Sequence, residues 1–271
     1  KFETGCGYCP GIGSKKQNDF TRFNIAYRKR VYEKVKPVVI GNGYMHTFFS
    51  RSFLLKNYNR CACGYFTLDL KHFCERNRVE AKSIFGVPQS GRFVILFGAQ
   101  NLNDERKGVS YLLQALKILH DEMNAEERQK VLLLLAGRSI EEIKDRLYFE
   151  YLHLGFVKAD MLPMMYSAAD VFLSPSVNDA GPSMVNQSLA CGTPVVSFEM
   201  GTAIDYVKDK NTGYCAKLRD AEDYARGIEK LFRLSELDYL AMRKECRKIS
   251  EELSSPEREL AMYEEIFKKY L

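Results

Sequence analysis

Residues 91–250 predict a doubly wound α/β domain, and two observations carry that prediction. Short apolar runs alternate with amphipathic helical patterns, and the loops that follow the runs hold glycines and polar residues. Such alternation builds a parallel sheet covered by helices on both faces. Residues 93–97 form the first buried strand. Residues 108–120 follow as a helix, with Val109, Leu112, Leu113, Leu116 and Leu119 on one face. Residues 131–136, the longest apolar run, make the next strand, which stops at Gly137 and Arg138. Residues 159–168 read as helix, 171–173 as strand, 183–191 as helix, 194–198 as strand and 221–232 as helix.

The chain before this domain is less regular. Residues 1–15 read as a loop, and residues 19–35 as a helix with Phe20, Phe23, Tyr27 and Val31 at three- and four-residue spacing. A short strand at 37–40 stops at Gly41-Asn-Gly43, and Gln89-Ser-Gly91 reads as a linker. A last amphipathic helix at 256–270 carries Leu260, Tyr263, Phe267 and Tyr270 in register. The expected organisation is therefore a partial N-terminal domain at 1–90, a ligand-binding domain at 91–250, and a segment at 251–271 packing back toward the N-terminal part.

A chain of 271 residues suits two such domains, and 46% hydrophobic with 28% charged residues is ordinary globular composition. The net charge of +5 fits a phosphate-bearing ligand or an anionic membrane surface and does not indicate a nucleic-acid binder. No apolar run is long enough to cross a bilayer, and none reads as a signal peptide. The chain opens on Lys1 without Met and is expected to be part of a longer protein. Eight cysteines without a secretory signal indicate reduced thiols in the cytoplasm. Cys6 and Cys9 form C-x-x-C, and Cys61 and Cys63 form C-x-C. A zinc knot is conceivable, but the second pair lacks the usual two-residue spacer and no His stands at ligand spacing, so ordinary thiols are the leading expectation.

In doubly wound sheets ligands bind at the carboxyl ends of the strands, and three loops there have chemical content. The first, Gln100 to Gly108, sets Arg106 and Lys107 beside the first turn of the next helix. Two cations at a helix N-terminus oppose its dipole unless an anion lies between them; the plain alternative is a solvated basic pair. The second loop runs from Ser174 to Gln187. Gly181 admits close approach of a ligand to the backbone, and Asp179 and Gln187 flank the turn within reach of a polyhydroxylated ligand. The plain alternative makes Ser183 a helix cap and Asp179 a turn residue. The third loop, Gly155-Phe156-Val157, suits a flat ring lying against backbone, and core packing explains it equally well. These features define a site for a phosphate-bearing ligand and leave the reaction open.

The ordered set Arg106-Lys-Gly108, Ser174-Pro-Ser176, Asp179-Ala-Gly-Pro182 and Gln187 to Val196, followed by Gly201 and Asp220, resembles retaining glycosyltransferases of the GT-B fold. More narrowly it is similar to glycosyltransferase family four, including bacterial capsule and colanic-acid-type enzymes. The resemblance covers residues 93–235, and Cys6 to Pro10 and Arg51 to Leu55 look like the later part of that family's N-terminal domain. It implies a GT-B-like chain with a C-terminal Rossmann-like domain, a partial N-terminal Rossmann-like domain and no cofactor or metal beyond a UDP- or GDP-sugar donor.

The resemblance also implies roles. Lys107, with Arg106, would bind the donor diphosphate as charge builds on it. Asp179 and Gln187 take the two positions of the family's E-x7-E motif, facing the donor sugar and the ribose respectively. Backbone around Gly181, Pro182, Ser183, Met184 and Val185 would cradle phosphate and sugar, and Gly155, Phe156 and Val157 would line the base. Asn101 stands where family members often carry a cation. Asp179 is one methylene shorter than Glu, and Gln187 lacks the charge, so its hydrogen bonds are about half as strong as charge-assisted ones. The first half of the N-terminal domain, with its acceptor loop and histidine, has no counterpart here, and none of His46, His72, His120 and His153 stands in a matching context.

Residues 15–36 hold eight cations interleaved with Phe20, Phe23, Tyr27 and Tyr32, a pattern for an anionic membrane surface or for a solvated face. The leading expectation is a hexosyltransferase of bacterial surface polysaccharide synthesis, cytoplasmic and peripheral at the inner face of the membrane, with a glycan or lipid-linked acceptor. The alternatives are a nucleotide-sugar epimerase or phosphorylase of related architecture, and a catalytically silent nucleotide-sugar-binding or interaction subunit.

Overall fold

The computed structural model describes residues 1–58, 67–89, 91–102 and 104–270, with the backbone alone of residues 60–62. The chain forms two compact units, residues 1–65 with 260–271 and residues 66–259. Cys63 and the side chain of Cys61 lie outside the described residues, so the second cysteine pair is not visible as a pair.

In the first unit, α1 (Phe20–Val35) leads to β1 (Val39–Gly41), α2 (Gly43–Arg51) and β2 (Arg60–Ala62). β1 and β2 pair in parallel, with Ile40 opposite Cys61. Asp19 caps α1, accepting the N–H groups of Thr21 at 2.9 Å and Arg22 at 3.2 Å. The apolar spacing of α1 is helical as expected, yet the helix buries no residue: Phe20, Phe23 and Tyr27 stand exposed. α2 was not expected. Asn42, read as a strand stop, also accepts the Met45 N–H at 2.8 Å and so starts a helix.

The second unit runs through α3 (Arg78–Ile84), β3 (Phe93–Asn101), α4 (Val109–Glu122), α5 (Ala125–Lys130), β4 (Val131–Arg138), β5 (Glu150–Gly155) and α6 (Leu162–Ala168). It continues through β6 (Val171–Ser174), α7 (Ser183–Ala190), β7 (Val195–Phe198), α8 (Ala203–Tyr206), β8 (Gly213–Ala216), α9 (Ala221–Phe232) and α10 (Glu236–Ser254), and α11 (Pro256–Tyr270) closes the chain. The six strands form one parallel sheet in the order β5-β4-β3-β6-β7-β8. The four strands expected from the sequence are therefore its central neighbours. β3 and β4 are buried almost throughout, as strands covered on both faces require. The chain winds from β3 outward to β5, then crosses back to add β6 on the other side of β3. The switch point lies between β3 and β6.

Both edge strands escaped the sequence pattern for physical reasons. β5 is half exposed and carries Glu150 and His153, so it has no continuous apolar run. β8 opens on Gly213, where φ is 146° and a Cβ would lie 1.8 Å from the Val195 carbonyl oxygen. The missing side chain at Gly213 is thus what lets the backbones pair.

Three expectations need correction. α6 begins at Leu162 after a separate 3-10 turn at Ala159–Met161, with Pro163 in its first turn. α11 buries Met262 and Ile266, whereas Leu260 and Phe267 are exposed, so its inward face is rotated from the one expected. Residues 70–78, placed by the sequence in the N-terminal domain, are tied to the helices of the sheet domain. The Arg247 guanidinium donates to the carbonyl oxygens of Phe73 at 2.8 Å, Ala190 at 3.1 Å and Leu70 at 3.2 Å. Arg78 donates to the Ala169 carbonyl oxygen at 3.2 Å.

Candidate functional site

A cavity of about 130 Å³ opens at the carboxyl ends of β3 and β6, on the switch point of the sheet. Phe97 and Gly98 of β3 form one wall, and Ser174 of β6 with Pro175 and Ser176 forms another. Lys107, Asp179, Gly181, Pro182, Ser183 and Met184 complete it. Lys107 Nζ lies 2.6 Å from Asp179 Oδ2, and the other oxygen of Asp179 accepts the Gly181 N–H at 3.1 Å. The two side chains are 34% and 19% exposed, so the pair is partly buried.

Backbone holds the two loops at that distance. The Arg106 carbonyl oxygen accepts the N–H groups of Val177 at 2.9 Å and Asn178 at 3.3 Å. Gly108 has φ of 70°, and a Cβ there would sit 1.8 Å from the Pro175 carbonyl oxygen. Only glycine admits both the left-handed turn and this approach, and Lys107 precedes it. The segment joining β3 to α4 is in this way fastened to the segment joining β6 to α7.

The Arg106 guanidinium does not join the cavity. It turns onto Asp104, with Nη2 2.8 Å from Oδ2 and Nε 3.2 Å from Oδ1, and its side chain is 70% exposed. The Arg106 guanidinium holds the Asp104 carboxyl below its usual value. The anions that compensate two cations at the start of α4 are thus the chain's own carboxylates, Asp104 for Arg106 and Asp179 for Lys107. What Arg106 brings to the site is its carbonyl oxygen, a contribution that side-chain reasoning does not reveal.

Ser183 is the first residue of α7 and not its cap; Pro182 holds the cap position, and no side chain caps the helix. The Ser183 and Met184 N–H groups therefore lack an intrahelical acceptor beside the cavity. Gly181 donates to Asp179 and Val185 donates to the Pro182 carbonyl oxygen at 3.0 Å, so those two amides are engaged. Gln187 lies one turn further along α7, where its Oε1 accepts the Tyr166 hydroxyl at 2.9 Å.

Gly155, Phe156 and Val157 stand apart from the cavity. Gly155 ends β5, two strands from β3, or roughly 10 Å away at ordinary strand spacing. Phe156 is 65% exposed, and the Arg138 guanidinium lies 5.9 Å from its ring centroid. Arg138 is the register partner of the exposed Asn101 in the β3–β4 pairing. Arg138 and Tyr166 were not singled out from the sequence. Arg138 was legible only as the end of a strand, and Tyr166 only as part of a helix.

Among the described residues no group of three His, Cys, Asp or Glu side chains is arranged to hold a metal ion. Among the same residues no helix is long and apolar enough to cross a membrane.

The chain is 24% identical over 159 residues to an uncharacterized glycosyltransferase of Methanocaldococcus jannaschii, covering 57% of this chain and 39% of that protein. It is 29% identical over 184 residues to the D-inositol 3-phosphate glycosyltransferase of Geodermatophilus obscurus, covering 63% and 40%. The chain thus spans about two fifths of the length of these curated relatives. Its fold is similar to that of sucrose-phosphate synthase from Thermosynechococcus elongatus, with a TM-score of 0.71, 21% identity and coverage of 96% of this chain and 64% of that one. It is also similar to Anabaena HepE in complex with UDP and glucose, with a TM-score of 0.68, 16% identity and coverage of 98% and 69%. Residues 82–252 match the family described as glycosyl transferases group 1, and the chain belongs to that family.

Proposed function

We propose that this chain carries the donor site of a retaining glycosyltransferase that moves a hexose from a UDP- or GDP-sugar to a growing glycan or lipid-linked acceptor. The observation that carries the reading is the Lys107–Asp179 pair, a cation and a carboxylate at 2.6 Å in a cavity on the switch point. In the transfer, the bond from the anomeric carbon to the β-phosphate oxygen breaks and a bond to the acceptor oxygen forms. The bonding electrons stay with the diphosphate, whose charge Lys107 meets from a fixed position. The diphosphate takes the acceptor proton, so no protein base and no metal is required.

Asp179, released from Lys107, faces the donor sugar. The Ser183 and Met184 amides receive phosphate or sugar oxygens, with Gly181, Pro182 and Val185 shaping the cradle. Gln187 holds the ribose, Gly155 to Val157 with exposed Phe156 line the base, and Asn101 borders the approach. Arg106, at the rim on Asp104, is a secondary contact. The solved complex of HepE with UDP and glucose supports a donor of this class.

Within this reading the protein serves surface polysaccharide synthesis at the inner face of a bacterial membrane. Its α1, with Phe20, Phe23 and Tyr27 exposed among Lys and Arg side chains, would lie on anionic lipid. A second reading, a nucleotide-sugar-binding subunit without turnover, is favoured by the site's closure on itself, Lys107 on Asp179 and Gln187 on Tyr166. Calorimetric titration with UDP, GDP, ADP and CMP, followed by donor hydrolysis and transfer assays, separates the two. Saturable binding of one nucleotide with turnover supports the first, binding without turnover the second, and no binding removes both.

A further inference from the structure

Tyr166 is fully buried on α6, and its hydroxyl donates to Gln187 Oε1 at 2.9 Å. The ring is fixed on both sides of that bond. The ring meets Phe172 of β6 edge-on with centroids 5.8 Å apart, and the Tyr166 backbone carbonyl oxygen, which anchors the residue, accepts the Thr193 hydroxyl at 2.8 Å. Burial raises the phenol well above its usual value, so the hydroxyl keeps its proton and acts as a donor at neutral pH.

A primary amide offers a carbonyl on one side and two N–H donors on the other. With its carbonyl held by Tyr166, Gln187 turns its Nε2 away from the buried phenol. Gln187 is half-buried and stands three and four residues after Met184 and Ser183, which line the cavity. Residues at that spacing share a helix face. The group that Gln187 has left to offer a ligand is therefore an N–H donor.

We propose that Tyr166 is a positioning residue that fixes the Gln187 amide, so that the site meets a donor hydroxyl with an N–H and takes that hydroxyl as an acceptor. The inference rests on the donor-site reading above. A carboxylate at position 187 would do the opposite, receiving the hydroxyl proton. Swapping acid for amide thus reverses the direction of the hydrogen bond and does not simply weaken it. Leaving the Tyr166 hydroxyl without a partner would strand a buried donor, which is what holds the amide in one orientation.

The test compares UDP and GDP with their 2′,3′-dideoxy forms, in the parent chain and in Tyr166→Phe, Gln187→Ala, Gln187→Glu and the Tyr166→Phe/Gln187→Ala double variant. The parent should prefer the hydroxylated nucleotide by about three- to tenfold, the worth of one net hydrogen bond. Tyr166→Phe keeps the ring on Phe172 and should shrink that preference, leaving dideoxynucleotide affinity within about twofold. Gln187→Ala should abolish the preference, with no further change in the double variant, and Gln187→Glu should restore it. Equal loss of affinity for both nucleotide forms in Tyr166→Phe would make Tyr166 a packing residue and overturn the proposal. A preference that survives Gln187→Ala would overturn it as well. If the parent binds neither UDP nor GDP, the donor-site reading fails first and the proposal falls with it.

Discussion

Lys107 and Asp179, 72 residues apart in the chain, meet at 2.6 Å across two loops whose backbones are hydrogen-bonded to each other. In the proposed donor site Asp179 is the counter-ion that a diphosphate would replace on Lys107.

Removing the resident anion should therefore help a diphosphate bind. Asp179→Asn is expected to tighten UDP or GDP binding by about three- to tenfold, because a like charge beside the phosphates is gone. Transfer should fall, since the proposed carboxylate contact to the donor sugar is lost. Calorimetry at two ionic strengths checks this, and weaker binding would mean that Asp179 serves chiefly to hold Lys107 in place.

Two adjacent cations should behave differently. Lys107→Ala is expected to cost about 1.5–3 kcal/mol of nucleotide-diphosphate affinity, the range for a hydrogen bond to a charged group. Arg106→Ala should change it by less than about twofold, because its guanidinium pairs with Asp104 at the surface. Equal losses in the two variants would contradict the arrangement.

Gly108→Ala should lower stability by at least about 2 kcal/mol, through left-handed backbone strain and contact with the Pro175 carbonyl oxygen. Gly91→Ala, with φ of 75° and open space around its Cβ position, is the control and should cost about 1 kcal/mol. Denaturant unfolding of the two variants separates strain from collision.

Among the described cysteines, burial should set reactivity. It pushes the Cys191 thiol up to about 12 and raises that of Cys246 as well. In the folded protein at pH 8 both should resist iodoacetamide, whereas the half-exposed Cys6, Cys9 and Cys74 react. Peptide mapping reads the outcome, and fast labelling of Cys191 would show that α7 opens.

Acid should loosen the start of α1. The Thr21 hydroxyl, and next the Cys9 N–H, hold the Asp19 carboxyl well below its usual value of 3.8. A carboxyl lowered in the folded state contributes stability above its unfolded value and loses it as pH falls from 3.8 toward the folded value. Asp19→Asn should remove that pH dependence while leaving the other acid transitions, as circular dichroism during acid titration would report.

The pattern of residues along the chain already specified the parallel core, because central strands buried on both faces must be written as unbroken apolar runs, as residues 131–136 are. It also determined which loops carry polar chemistry, since a doubly wound sheet presents its ligand at the carboxyl ends of those runs. The loops that hold Lys107 and Asp179 were legible for that reason. The edge strands β5 and β8 were not, because a half-exposed strand and a glycine-led one lack the apolar signal. Only the tertiary structure decided that Lys107 turns inward while its neighbour Arg106 turns out to Asp104. It alone brought the Tyr166 hydroxyl, 21 residues away in the chain, onto Gln187. Side-chain direction and pairing depend on which loops and helices the fold makes neighbours, and spacing along the chain does not encode that.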